Sequence, residues 1–311
     1  MRELYAEYRA FAVPRGGPRF QNIEDELGML GKYSPLYETL EGRVIEDEDL
    51  HWLGRKLAVW QVTTAYPVAM QVSMSSIDDE EKGELYHLIY SYIVRRALCG
   101  LTGKNLNKVF QSISLVFLKH GPSVDSLERY FADKDGDSTR YPSDDEFRQG
   151  ILSKPAYMLA PQARIRDILW ELEEASRSEF AETTTMPPDL WTEHMLPTAW
   201  TKEWPFEQGE FVERWSRERK SEERNTLIQS VGNLTLLTSR LNISAGNKGF
   251  LAKREKLKKH TSLFLNRWFL ERDLWNESEI RQRGQALADL AVDIWPALEP
   301  MKVESVDGAN S

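Results

Sequence analysis

Through residues 47–180, apolar side chains recur three and four positions apart, and stretches in which they alternate one-on, one-off are scarce. A chain patterned in this way buries one stripe of each segment by packing helix on helix, not by pairing strands. Leu50, Leu53, Leu57 and Trp60 mark a helix over residues 47–65. Leu85, Leu88, Ile89, Tyr92 and Ile93 mark another over 80–99, with Gly100 and Gly103 as its stop. Residues 105–118 and 123–131 read as two further helices, and the Asp/Gly/Ser-rich run 133–145 as a surface loop. A helix over 163–180 puts Ile165, Ile168, Leu169 and Leu172 on one face. The spacing predicts a mainly α fold that opens with a helical bundle over residues 1–182, without an internal repeat.

The texture changes at Thr183-Thr184-Thr185-Met186-Pro187-Pro188, a linker-like run, and a second domain is expected over 183–300. Its order is a short apolar segment (189–196), a Trp-rich charged insert (200–224), an extended segment (227–238) and a basic helix (244–260). A last amphipathic helix is expected at 277–294 and a disordered tail at 301–311. Charge is distributed unevenly. Residues 240–260 hold seven Lys/Arg and one acid, a net +6, in a chain of −9 overall, so the rest carries −15. That balance excludes a protein that coats nucleic acid over its whole surface, but suits one that touches a polyanion at one place; a solvated helix face is the plainer reading of the run.

No apolar run is long enough to cross a bilayer, and the start MRELYAEYRAF lacks the basic-then-apolar order of a secretory signal. The single cysteine, Cys99, rules out an internal disulfide and a Cys-rich zinc cage. A cytoplasmic protein without a membrane partner is the resulting expectation.

Three short runs can carry chemistry: Glu193-His194-Met195-Leu196-Pro197, then Gly232-Asn233-Leu234-Thr235-Leu236-Leu237, then Leu241-Asn242 followed by Asn247-Lys248. Metal-assisted phosphodiester hydrolysis needs a base for water, a cation on the phosphate oxygens and stabilisation of the leaving oxygen. Histidine suits the base, since its ordinary pKa of about 6.5 lets it accept a proton near neutrality. A carboxylate and an amide are hard oxygen donors, suited to Mg²⁺ or Mn²⁺. Each piece alone has a plain structural reading: Gly-Asn-Leu enters a strand from a turn, and Asn242 caps a helix. His51, His87 and His120 lie in or beside helices, and His260 ends the basic one.

EHxLP followed by GNLxLLxxxLN and NK resembles the HNH nucleases, and more closely the C-terminal nuclease domain of the GmrSD family of modification-dependent (type IV) restriction enzymes. The resemblance covers roughly residues 188–259, with a weaker likeness upstream that includes 92–100. It implies a small ββα-metal (HNH) nuclease domain with extra helices, behind the helical bundle. It implies His194 as general base, Asn233 as the brace of the loop around it, and Asn242 as a catalytic metal ligand. Glu193 takes the place where many members carry a metal-binding Asp, one methylene shorter. Asn247, Lys248, Lys253, Arg254, Lys256 and Lys259 are then expected on the DNA backbone, together with Lys258. Mg²⁺ or Mn²⁺ is the implied cofactor and DNA the implied partner; the alternative is a non-catalytic DNA-binding or interaction module that keeps the nuclease fold. The family's nucleotide-dependent N-terminal sensor domain, with its DGQQR-like motif, is not found here, and Gly100-Leu101-Thr102-Gly103-Lys104 has the wrong spacing for a phosphate loop. The expectation is a fragment or a separately encoded cleavage subunit, working with such a domain or subunit.

Overall fold

Side chains able to accept a backbone N–H sit just ahead of several helices and decide where they begin. Asn22, Asp47, Asp78, Ser123 and Ser143 each accept from the N–H three residues on. The computed structural model describes residues 2–178, 180–181, 185–202, 204, 214–246 and 249–298, with backbone only at 2–4, 214–217 and 245. Its first part is helical: α1 (Arg2–Ala12), α2 (Ile23–Leu40), α3 (Glu48–Trp60), α4 (Tyr66–Ser73), α5 (Asp79–Leu98), α6 (Leu106–His120), α7 (Val124–Ala132), α8 (Asp144–Ser153), α9 (Ala156–Leu159) and α10 (Gln162–Ala175). The helices at 47–65, 80–99, 105–118 and 123–131 are present with ends moved by a few residues. Helix α3 stops early because Gln61 turns left-handed, with φ 57°. The expected loop 133–145 gives way to α8, which Ser143 caps.

The second part runs β1 (Leu190–His194), α11 (Arg214–Ile228), β2 (Leu234–Thr238), α12 (Ser239–Ala245), α13 (Phe250–His260), α14 (Arg267–Leu270) and α15 (Glu277–Ile294). The two strands pair antiparallel, from Leu190 opposite Thr238 to His194 opposite Leu234. Two expectations need correction. Residues 227–238 are not one extended segment: Leu227 and Ile228 finish α11, residues 231–233 form a 3₁₀ turn, and only Leu234–Thr238 is strand. The basic segment is not one helix either, because Gly246 at φ 53° separates α12 from α13. The expected tail at 301–311 lies outside the described residues.

Both faces of β2 are covered. Leu234 and Leu236 join the large core of the helical region, with Leu190, Leu265, Leu287 and Trp295. Leu237, on the other face, joins a smaller cluster with Met195, Leu196, Trp200, Trp204, Leu241, Phe250 and Trp275. The packing joins the two parts: α10 packs on both strands, and α15 packs on α8 and on the turn at 231–233. No helix among the described residues is long and apolar enough to cross a membrane.

Candidate active site

His194 is the last residue of β1, and strand geometry aims it and Glu193 at opposite faces of the hairpin. On its side, the His194 ring lies edge-on to Tyr157 of α9, with centroids 4.5 Å apart, and Nε2 is 3.0 Å from Gln229 Oε1. An amide oxygen only accepts, so Nε2 carries the proton and Nδ1 keeps its lone pair. Burial pushes the ring's pKa down and outweighs the opposite effects of Gln229 and Glu193, while Lys253 adds to the lowering. His194 is thus a neutral, oriented imidazole at pH 7.

The segment after His194 is fixed by Asn233, which is fully buried. The Asn233 side-chain oxygen accepts from Leu196 N (2.8 Å) and from Trp275 Nε1 (2.9 Å). Its amide donates to Leu196 O and Ile228 O, each at 2.9 Å. Its backbone carbonyl accepts from Met195 N at 2.9 Å. One side chain therefore ties the exit of β1, the end of α11 and the loop before α15 into a single arrangement. The Gly232-Asn233 turn is held in its own right by Arg283 of α15. That guanidinium donates to Gly232 O and Leu234 O, both at 2.8 Å, and full burial pushes it down to about 9.

On the other face of the hairpin, Lys253 reaches from α13 into the protein. Its ammonium is 2.8 Å from Glu193 Oε1 and 2.9 Å from His194 O. The Lys253 side chain is 1% exposed and that of Glu193 is 18% exposed. Asn242 is half-buried on α12, a helix that packs against both strands. No group of three or more His, Cys, Asp or Glu able to hold a metal occurs among the described residues. Glu193 and Asn242 supply hard oxygen donors of the kind Mg²⁺ or Mn²⁺ takes, and such ions keep several waters and use one or two carboxylates. These are donor types that a hard divalent cation takes, and the Glu193 carboxylate already faces one positive charge.

The expected DNA-facing row separates into three groups. Lys253 points inward and is removed from the row, because its charge is committed to Glu193 and the His194 carbonyl. Arg254 bonds Arg272 O (2.5 Å) and Asp273 Oδ1 (2.8 Å), and Lys256 bonds Ser244, so both are partly occupied in holding neighbouring turns. Lys258 and Lys259 are exposed. Asn247 and Lys248 lie outside the described residues. The insert's Trp200 and Trp204 are buried, so neither offers a face to a base; Trp200 donates to Asn225 Oδ1 at 2.8 Å, and the Trp215 side chain lies outside the described residues. Gln229 and Tyr157, which orient His194, escape sequence reasoning. Nothing in their spacing marks them, and Tyr157 comes from the helical region.

Comparison with curated proteins returns no match. Residues 141–290 match a family model described as the C-terminal domain of GmrSD restriction endonucleases. The match begins well before the hairpin, taking in α8, α9 and α10, in keeping with a core that runs without a break from those helices onto the strands. Those residues are just under half of the chain, and over them it is similar to that family's C-terminal domain.

Proposed function

We propose that this chain is a metal-dependent endonuclease of the HNH (ββα-metal) type, hydrolysing DNA phosphodiesters in a restriction system aimed at foreign or modified DNA. The observation that carries the reading is His194: a neutral imidazole at the end of a two-stranded hairpin, oriented through one nitrogen so that the other retains its lone pair. His194 Nδ1 takes the proton of the attacking water. Asn233 keeps residues 195 and 196, and so the exit of the strand, in one place throughout. Glu193 and Asn242 would hold a divalent cation such as Mg²⁺ or Mn²⁺, which would supply charge neutralisation at the phosphate and at the departing oxygen. Lys258 and Lys259 provide phosphate contacts, which give affinity without sequence information. A nucleotide-dependent sensor domain or subunit acting with this chain belongs to the same proposal.

The test is cleavage of a plasmid by purified protein with Mg²⁺ or Mn²⁺, against EDTA controls, for wild type and His194→Ala. Loss of the base lowers the rate by about 10²- to 10⁴-fold, with the melting curve close to wild type. A wild type that does not cut under either metal, or a His194→Ala protein that cuts equally well, overturns the reading.

A further inference from the structure

A lysine placed like Lys253 has consequences for a carboxylate that is also asked to hold a metal. Its ammonium leaves solvent entirely, and two of its three N–H groups meet the Glu193 carboxylate and the carbonyl of His194. An ammonium buried to this degree is retained where its partners are fixed, since an unpaired charge in the interior is strongly unfavourable. The exit of β1 is thereby clamped twice, by Asn233 on one side and by Lys253 on the other. The second clamp also neutralises Glu193 before any metal arrives.

We infer that Lys253 is a positioning residue that acts as a lock on Glu193: it holds the carboxylate and the His194 carbonyl in place, and it competes with a divalent cation for the same carboxylate. The inference rests on the proposed metal-dependent reading and adds to it a residue that sets metal affinity. Two positive charges sharing one carboxylate repel each other, so the metal binds more weakly than its oxygen ligands alone would allow. The lock also explains why a lysine inside a run of surface cations faces inward. Its neighbours on α13, Lys258 and Lys259, remain exposed.

The experiment measures Mn²⁺ binding directly, by the loss of the free Mn²⁺ electron paramagnetic resonance signal, on the full chain. It compares wild type, Lys253→Met, Glu193→Gln and the double variant, with folding checked by circular dichroism. Lys253→Met is expected to bind Mn²⁺ about 10- to 100-fold more tightly, the scale on which groups beside metal ligands tune affinity. Glu193→Gln weakens binding, and Lys253→Met adds nothing in that background. If Lys253→Met does not fold, Lys253→Gln, which also removes the charge, takes its place in the cycle, and the same tightening is the expected result. Tightening that persists without Glu193, or unchanged affinity in Lys253→Met while Glu193→Gln still weakens binding, overturns the lock and leaves the metal-dependent reading standing. Absence of Mn²⁺ binding in every variant overturns both.

Discussion

Replacing Asn233 by Ala removes a side chain whose partners are all inside the protein. Leu196 N and Trp275 Nε1 lose their acceptor, and Leu196 O and Ile228 O lose their donor. A buried group left without its bond costs about 1–3 kcal/mol. Four such groups at the low end of that range give a loss of about 4 kcal/mol, allowing for some rearrangement toward water. Domains of this size have about 5–15 kcal/mol of stability to lose, so Asn233→Ala is expected to fold at low temperature and melt far earlier than wild type. Urea unfolding followed by tryptophan fluorescence measures the difference, with Trp275 itself one of the reporters. Asn233→Asp sharpens the test. It keeps the shape and an acceptor for Leu196 N and Trp275 Nε1, but turns a carboxylate oxygen toward two carbonyls. The buried acid must therefore take up a proton, and its stability is expected to be lowest at high pH and to recover as pH falls. A loss below about 1 kcal/mol for Asn233→Ala, the least that one unpaired buried group costs, or a pH-independent Asn233→Asp, would refute the view that this one side chain organises the exit of β1.

Two further predictions concern charge. In metal-free protein, the His194 ring signals in proton NMR are expected to titrate below the ordinary 6.5, because burial favours the neutral form. The sign follows for stability: a depressed folded pKa contributes stability above pH 6.5 that is lost as pH falls, and a ring titrating above 6.5 contradicts the buried geometry. Replacing Lys258 and Lys259 with Ala is expected to weaken binding to two unrelated duplexes alike and to flatten the slope of log K against log salt by about 0.9 for each phosphate that is no longer neutralised; an unchanged slope places the DNA on another face.

The helical character of the chain was legible because an amphipathic helix writes its buried stripe into the sequence, as Leu50, Leu53, Leu57 and Trp60 do for α3. Helix α11 was not, since RWSRERKSEERNTLI has hardly any apolar stripe and reads as a charged insert. The hairpin was legible from its two apolar runs, and Asn233 from its place between Gly232 and Leu234. What sequence order cannot express is direction. Lys253 and Lys258 stand five residues apart in one basic run, yet helical rotation turns the first into the core and leaves the second in solvent. Composition counts them alike. Gln229 was hidden for a related reason, because its value lies wholly in the turn that brings its amide to His194.

That turn depends on a close approach of backbone to backbone, and this supplies the last prediction. A methyl group added at Gly232 would sit 2.4 Å from Ile280 O and 3.1 Å from the backbone of Gly284, both on α15. Neither neighbour is a flexible side chain, so either the turn or the helix must move. Helix α15 is poorly placed to yield. Arg283 holds it to Gly232 and Leu234, and beyond its end the Trp295 indole donates to Glu171 Oε2 while Arg95 Nε bonds Trp295 O at 2.6 Å. The turn is the softer partner, and it carries Asn233. Gly232→Ala is therefore expected to lose about 1–3 kcal/mol by overpacking, and to misplace His194 even where the protein remains folded. Gly54→Ala is the matched control: its added methyl would meet Leu40 O at 2.3 Å, inside the helical region and away from the hairpin. Both variants should show similar losses in urea unfolding, whereas at a temperature where both are folded only Gly232→Ala should lose plasmid cleavage. If the two lose cleavage equally, the defect is one of general stability, and the turn at Gly232 does not set the position of His194.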